Sequence, residues 1–333
     1  MLRFALLGCG RIGRVHADSV AYHPRAELVW AYDPFESAAR DVAATYGGTP
    51  GTDVDTILAD PGVDAVIVAS STPTHVDLLQ RAVLVGKAVL CEKPIDLDLA
   101  RVDACWEQIA GANPQVMVGF NRRFDPSFKA VRERVAAGDL GRLEQLIITS
   151  RDPAPAPAEY LAASGGLFRD MTIHDFDMAR FFLGDVVEVQ AMGANLVADY
   201  IADLGDIDSS VVVLRGVDGA LCQIVNSRRC TFGYDQRLEA FGSTAMLTVD
   251  NLRPDGVRRF AADETEAAAP YLNFFLDRYT PAYRAELDHF ITSVENGTPP
   301  SPGYADGRAA LALADAANES LRTGRIVKLP MRA

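Results

Sequence analysis

Five short apolar runs, separated by stretches with helical periodicity, occupy the first 120 residues of this chain. They lie at residues 2–7, 27–32, 65–69, 88–91 and 116–119. Strands that helices cover on both faces are continuously apolar, whereas strands with one solvated face alternate between apolar and polar residues. The runs therefore predict a parallel sheet with helices on both of its faces.

Longer segments that alternate apolar and polar residues follow, at residues 143–150, 187–191, 209–214, 220–226, 237–241 and 245–249. Alternation of this kind predicts an open, mostly antiparallel sheet. Two helical stretches, at about residues 279–295 and 304–321, come last. A length of 333 residues fits two domains better than one core. We predict an α/β protein with domains at residues 1–121 and 122–333.

The composition excludes several classes of protein. Hydrophobic residues make up 49% of the chain and charged residues 23%, as in globular proteins. No apolar run approaches the roughly 20 residues of a membrane span, so we expect no membrane insertion. The net charge of −13 argues against nucleic acid as a partner. The first apolar run has no basic segment before it and no cleavage site after it, so we expect a first strand there rather than a secretion signal.

Cysteine usage points to a reducing compartment. The five cysteines stand singly, without the paired spacing of zinc sites or disulfide frameworks. We therefore expect free thiols, a cytoplasmic protein and no metal. The cysteines are Cys9, Cys91, Cys105, Cys222 and Cys230.

The turn after the first run carries the glycine spacing of dinucleotide-binding proteins. Gly8 would permit the tight turn, Gly10 would let backbone N–H groups approach a diphosphate, and Gly13 would let helix and strand pack closely. Asp33 ends the second run and would bind ribose hydroxyls, which favours NAD over NADP. A purely structural turn is the competing interpretation, but strand, helix and Asp33 spacing agree on a cofactor site. The predicted contacts of the turn are Gly8, Gly10, Arg11, Ile12, Gly13 and Asp33.

Glu92-Lys93-Pro94 follows the fourth apolar run. Ligands bind at the carboxyl ends of strands in doubly wound sheets. The Lys93 ammonium could hold a reacting hydroxyl and favour the developing alkoxide, with Glu92 tying the turn in place. A charged surface turn explains the same residues, and this segment alone leaves both interpretations open.

Asp170 and His174 are four residues apart, which would place them on one helical face. Histidine titrates nearest neutral pH, so His174 is the candidate base for removing a hydroxyl proton, with Asp170 to orient it and Thr172 as a further polar contact. Zinc coordination by the Asp, His and Asp of this motif is an alternative, disfavoured because no second His or Cys cluster accompanies them. A helix cap with a core histidine is the structural alternative.

These motifs, in this order, resemble the Gfo/Idh/MocA oxidoreductase family. Within that family, four stretches look like the inositol 2-dehydrogenase branch; they are residues 119–125, 164–180, 226–237 and 274–279. The resemblance implies an N-terminal Rossmann domain that binds NAD. It also implies a C-terminal α/β domain whose open sheet makes subunit contacts, usually in a homotetramer.

The resemblance also assigns residues. Lys93, Asp170 and His174 would be the catalytic set, and Arg122, Asp152 and Tyr234 would surround a polyol substrate. Residues of two further segments would lie beside the cofactor. They are Ser71, Thr72, Pro73 and His75 in the first, and Glu92 and Lys93 in the second. Asn121 and the regular Pro-Ala repeat of residues 152–158 depart from the family pattern where substrate identity would be set.

The expected activity is NAD-dependent oxidation of a ring secondary alcohol. The resemblance favours oxidation of myo-inositol to 2-keto-myo-inositol (scyllo-inosose), with formation of NADH. Three alternatives stay open: a dehydrogenase of another inositol isomer or sugar, such as scyllo-inositol or an aldose; a glycoside-cleaving relative that regenerates its NAD; and a non-catalytic dinucleotide sensor.

Overall fold

The computed structural model describes residues 1–330 of the chain, which form two compact units. The first unit combines Met1–Phe124 with Thr280–Ala312, and the second combines Asp125–Tyr279 with the described residues from 313 to 330. The expected division into residues 1–121 and 122–333 differs from these units mainly because residues 280–312 pack with the N-terminal segment.

The first unit contains a six-stranded sheet whose neighbours all pair in parallel. This confirms the predicted parallel sheet, and its order, β3-β2-β1-β4-β5-β6, is that of doubly wound sheets that bind dinucleotides. Only β3 lacks a predicted run. It is a short edge strand with a proline, which a sheet tolerates at its edge. The strands are β1 (Leu2–Leu7), β2 (Ala26–Tyr32), β3 (Thr49–Gly51), β4 (Ala65–Val68), β5 (Ala88–Cys91) and β6 (Val116–Val118).

Helices connect these strands. Every residue of β4 and of β5 is buried, as expected for strands covered on both faces. The connecting helices are α1 (Arg11–Tyr22), α2 (Glu36–Tyr46), α3 (Val54–Ala59), α4 (His75–Leu84) and α5 (Leu99–Ile109).

The second unit is built on a seven-stranded sheet of order β12-β11-β7-β10-β9-β8-β15. Only β7 and β10 pair in parallel, so the predicted, mostly antiparallel sheet is confirmed. Its strands are β7 (Leu143–Arg151), β8 (Val186–Ala194), β9 (Ser209–Gly216), β10 (Leu221–Ser227), β11 (Asp235–Gly242), β12 (Met246–Val249) and β15 (Val327–Lys328). A separate hairpin contains β13 (Arg258–Arg259) and β14 (Ala267–Ala268).

The helices of this unit include α6 (Pro126–Ala136), α7 (Ala158–Ala163), α8 (Leu167–Asp170), α9 (Thr172–Leu183) and α10 (Asp199–Asp203). The sheet has one buried and one exposed face, as β9 illustrates: Val212 and Leu214 are fully buried, whereas Val211 and Val213 are 42% and 43% exposed. We call the exposed side, which includes Met192, Val211, Val213 and Phe241, the open face.

The last two long helices are α11 (Phe275–Asn296) and α12 (Tyr304–Thr323). Their residues between 280 and 312 belong to the first unit. The Phe290 ring lies 6.1 Å from that of Phe4 in β1, and the Tyr304 hydroxyl donates to the Val102 carbonyl at 2.7 Å. This part of the chain therefore completes the core of the N-terminal sheet, which is why a single cut near residue 121 does not separate the units.

Candidate active site

The turn between β1 and α1 excludes side chains at two of its three glycines. A Cβ at Gly8, where φ is +107°, would lie 2.5 Å from the Ser70 nitrogen, and one at Gly13 would lie 1.9 Å from the Gly8 carbonyl oxygen. A Cβ at Gly10 would meet no atom within 4 Å. The turn thus leaves open space at the N-terminus of α1, where a diphosphate would gain from free N–H groups and the helix dipole. Arg11, which is exposed, and Ile12, which is half-buried, begin the helix.

Asp33 follows β2 beside this turn. Its Oδ2 accepts the Cys9 N–H and its Oδ1 accepts the Phe35 N–H, each at 2.9 Å. These bonds hold the carboxylate at the strand end and leave lone pairs for further donors. The open space at Gly10 and the fixed carboxylate both fit an adenine dinucleotide with free ribose hydroxyls.

The predicted cofactor segment after β4 forms one turn of 3₁₀ helix, Thr72–Thr74, with Ser71 directly before it. Ser71 and Pro73 are exposed, and Thr72 is half-buried. His75 is buried instead. Its Nδ1 lies 2.8 Å from the Pro94 carbonyl oxygen and its Nε2 lies 3.0 Å from that of Ser70. His75 therefore links the turns after β4 and β5, and its contact with a cofactor stays a prediction.

Glu92 supports the turn that carries Lys93. Its Oε1 lies 2.7 Å from His16 Nε2, and its Oε2 accepts the Lys93 backbone N–H at 3.2 Å. Gly119 makes room for this carboxylate, because a Cβ there would lie 3.1 Å from it. Lys93 itself is half-buried directly after β5. No local pattern indicated a role for His16, because its partner Glu92 lies 76 positions away in the sequence.

A second buried acid, Glu286 on α11, belongs to the same unit. Among residues 1–330, neither of its carboxyl oxygens has a hydrogen-bond partner. Burial, and then the charge of Glu92, raises the pKa of Glu286 well above its ordinary value. A carboxyl without donors is far less costly to bury as the neutral acid than as the anion.

Asp170 and His174 lie on two consecutive helices rather than on one. Asp170 ends α8, Met171 follows with φ of −98° and ψ of −58°, and His174 occupies the first turn of α9. The His174 N–H bonds the Met171 carbonyl, three residues back, at 3.3 Å. This tighter turn interrupts the regular helix on which the expectation of a shared face was based.

Two donors approach the Asp170 carboxylate within the second unit. The Tyr160 hydroxyl donates to Oδ1 at 2.8 Å, and Arg228 Nη1 donates to Oδ2 at 3.1 Å. Neither Tyr160 nor Arg228 was predicted as a site residue. Arg228 directly follows the alternating segment that became β10, and an arginine at a strand end was the available signal.

Thr172 is fully buried, with an internal partner. Its hydroxyl donates to Asn226 Oδ1 at 2.8 Å, and Asn226 Nδ2 donates to Asp175 at 2.7 Å. This buried network anchors the start of α9 to β10. Direct contact between Thr172 and a substrate stays a prediction.

Asp152 and Tyr234 lie at one end of the sheet, because Arg151 of β7 pairs with both Ser227 of β10 and Asp235 of β11. The Asp152 N–H donates to the Ser227 carbonyl at 3.0 Å, and the buried Tyr234 ring packs edge-on against Tyr279 at 5.9 Å. Arg228, which binds Asp170, directly follows Ser227. Asp152, Tyr234 and Arg228 therefore all lie at the same end of the sheet.

Arg122 belongs to the first unit, on the 3₁₀ turn Asn121–Phe124 after β6, and it is buried.

In residues 1–330, no group of three or more His, Cys, Asp or Glu side chains could hold a metal ion. None of the helices described for that range is long and apolar enough to span a membrane.

Comparisons with known proteins cover nearly the whole chain. Residues 2–120 match the model of an oxidoreductase family with an NAD-binding Rossmann fold, and residues 128–248 match the GFO/IDH/MocA C-terminal domain. An inositol 2-dehydrogenase of Rhizobium meliloti is 47% identical over 98% of this chain and 99% of its own.

Solved structures agree. A myo-inositol dehydrogenase from Corynebacterium glutamicum superimposes with a TM-score of 0.97 at 53% identity, covering 100% of both chains. A scyllo-inositol dehydrogenase from Lactobacillus casei with bound NAD(H) and scyllo-inositol gives a TM-score of 0.89 at 26% identity, covering 98% and 99% of the two chains.

Proposed function

Because this chain belongs to the Gfo/Idh/MocA family of NAD-binding oxidoreductases, we propose that it oxidises myo-inositol to 2-keto-myo-inositol (scyllo-inosose) and forms NADH. The substrate assignment depends on one observation: the chain is similar along its length to proteins named as inositol dehydrogenases, at 47% and 53% identity. The Lactobacillus casei relative holds a different isomer, so scyllo-inositol is the second candidate substrate.

The first unit would hold the cofactor through the Gly8–Gly13 turn, with Asp33 on the adenosine ribose. Arg11, Ile12, Glu92 and the turn from Ser71 to His75 would complete the binding surface. NAD supplies the hydride acceptor. The open space at Gly10 and the fixed Asp33 carboxylate support this assignment.

Lys93, Asp170 and His174 would act on the substrate hydroxyl. His174 is partly exposed on the first turn of α9 and would take the hydroxyl proton. Lys93 would steady the oxygen as charge develops on it, which requires that its backbone be fixed, and the Glu92 bond to its N–H supplies that support. Asp170 would orient the reacting groups as a fixed acceptor.

Arg122, Asp152, Thr172 and Tyr234 would recognise the remaining ring hydroxyls. A polyol presents a hydroxyl on every ring carbon, and each one that loses its partner on binding costs about 1–3 kcal/mol. Selectivity among isomers would then follow from how many hydroxyls find partners. The common location of Asp152 and Tyr234 at one end of the sheet supports this part of the proposal.

The test is NADH formation, followed by absorbance, with a panel of myo-inositol, scyllo-inositol, other inositols, aldoses and sugar acids. We expect the highest kcat/KM with myo-inositol, and a loss of about 100-fold or more in Lys93→Ala and in His174→Ala. Lys129→Ala, an exposed lysine on α6, is the matched control and should keep its activity. No NADH with any polyol would refute the function, and near-wild-type turnover of either variant would remove that residue from the chemistry.

We further propose a homotetramer in the cytoplasm. The apolar residues of the open face support subunit contacts, since large exposed apolar patches commonly mark interfaces.

The five cysteines are all buried and free, and burial with the charge of Asp33 raises the pKa of Cys9 to about 12. Buried thiols of this kind suit a reducing compartment.

A further inference from the structure

A buried arginine lies between the carboxylates at the two ends of the short helix that carries Asp170. At its start, Asp206 Oδ1 accepts the Leu167 N–H at 3.0 Å. Gly166, with φ of +85°, lets Asp206 approach, since a Cβ there would lie 2.9 Å from that oxygen. Arg228 lies between the two carboxylates, with Nη1 3.1 Å from Asp170 and Nη2 3.8 Å from Asp206. Arg228 therefore hydrogen-bonds the carboxylate that ends α8 and, at a longer distance, forms an ion pair with the acid that caps its start.

The second donor to Asp170 comes from a different part of the chain. Tyr160 lies on α7, which follows the Pro-Ala repeat, and its ring is exposed while its hydroxyl bonds Asp170. The repeat is itself tied down, because the Tyr200 hydroxyl donates to the Ala156 carbonyl at 2.9 Å. The helix that follows the Pro-Ala repeat thus makes a direct contact with a proposed catalytic carboxylate.

We propose that Tyr160 and Arg228 are positioning residues for Asp170, and that together they fix the plane of its carboxylate for the reaction. The inference rests on the proposed function. Arg228 binds one oxygen and Tyr160 the other, so rotation of the carboxylate would break at least one bond to a charged group. Such bonds are about twice as strong as neutral ones. Misplacement of a reacting group by about 1 Å can lower a rate about 100-fold.

The test compares two tyrosines that each lose one hydroxyl. Tyr160→Phe removes the bond to Asp170, whereas Tyr200→Phe removes a bond to a backbone carbonyl of the same segment. We expect Tyr160→Phe to lower kcat about 10-fold with little change in KM for inositol or NAD. Tyr200→Phe should stay within about 2-fold of wild type in both constants.

A double-mutant cycle shows whether Tyr160 acts through Asp170. In an Asp170→Asn background, Tyr160→Phe should cause a smaller loss than in wild type, because the amide oxygen of Asn is a neutral and weaker acceptor than the carboxylate. Arg228→Lys, which keeps a charge, should retain more kcat than Arg228→Met, with the folded state of each checked by its melting temperature.

Three outcomes overturn the inference: equal kcat for the two tyrosine variants, an unchanged effect of Tyr160→Phe in the Asp170→Asn background, or a loss confined to KM. If Asp170→Asn has no measurable activity, the comparison of the two tyrosines decides. A wild-type enzyme that oxidises no polyol refutes the proposed function instead, so the two failures are distinguishable.

Discussion

At Asp33, two backbone N–H groups orient a carboxylate that would otherwise be free to turn toward solvent. Asp33→Asn keeps the shape but removes the negative charge and one acceptor. We expect the KM for NAD to rise about 10-fold and the preference for NAD over NADP to fall, because the repulsion of a 2′-phosphate is lost.

Steady-state kinetics with both cofactors measure this change. Asp41→Asn is the matched control, since Asp41 is an exposed acid that pairs with Arg14 on the neighbouring helix. An unchanged ratio of kcat/KM for the two cofactors in Asp33→Asn would show that Asp33 does not set the preference.

Glu286 should make stability depend on pH. Its pKa is raised in the folded protein, so between its ordinary value of 4.5 and the raised one the folded state holds a proton that the unfolded state has lost. The free energy of unfolding therefore falls as pH rises through that range. Glu286→Gln removes this loss, and we expect it to be more stable than wild type at pH 8 by on the order of 1–3 kcal/mol.

Urea unfolding at several pH values tests this expectation. The difference between Glu286→Gln and wild type should shrink as pH falls toward about 4.5, where the acid is protonated in both states. Glu295→Gln, on the same helix and paired with Arg25 at the surface, should show no such trend. Parallel curves for wild type and Glu286→Gln would contradict a buried neutral acid.

Residues whose role is set by near neighbours were predictable, and those set by distant ones were not. Gly8, at a φ of +107°, and Gly13, packed against the Gly8 carbonyl, are required by the backbone of one short turn, so the glycine spacing with its flanking strand and helix indicated them. His16 gains its role from Glu92 and Tyr160 from Asp170, through packing that no local pattern encodes.

At the scale of one element, two glycines of the turn before α1 should have different roles, Gly13 in stability and Gly10 in cofactor binding. At Gly13 an added methyl group would collide with the Gly8 carbonyl, whereas at Gly10 it would meet open space at an ordinary φ of −69°. We expect Gly13→Ala to lower the free energy of unfolding by more than about 2 kcal/mol. Gly10→Ala should change it by less than about 0.5 kcal/mol and still weaken NAD binding about 10-fold or more.

Melting temperatures and titration calorimetry with NAD separate the two effects. Gly10→Ala with undiminished NAD affinity would mean that the cofactor does not use this space. The pair thus tests the cofactor site without relying on turnover.

Element boundaries show where sequence patterns stop being informative. The strands β4 and β5 were predicted because buried parallel strands are continuously apolar. The edge strand β3 has no such run and forms by pairing with β2, and the start of α9 is hydrogen-bonded to Asn226 of β10. Both features come from tertiary contacts rather than from local propensity.

For the molecule as a whole, the open face should decide the oligomeric state. Val213 is 43% exposed in the middle of β9, where a charge would oppose burial against a second subunit. We expect Val213→Glu to produce a species smaller than wild type in light scattering coupled to size exclusion. Val85→Glu, an exposed valine of the first unit, should keep the wild-type mass. Unchanged mass in Val213→Glu would direct attention to another surface.

The domain arrangement was only partly predictable. The change from continuous to alternating apolar patterns near residue 121 marks where one sheet gives way to the other. The helical pattern of residues 280–312 does not indicate which sheet these residues pack with, because an apolar helix face can pack against either one.

The contribution of residues 280–312 to the first unit makes the order of synthesis important. The nucleotide-binding strands are synthesised before residues 125–279, yet Phe4 meets Phe290, and Val102 meets Tyr304, only after residues 290 and 304 have also been made. The core of residues 1–124 therefore stays incomplete while all strands of the second sheet except β15 are synthesised. Nascent chains at this stage should be the form most dependent on chaperones and most open to proteases.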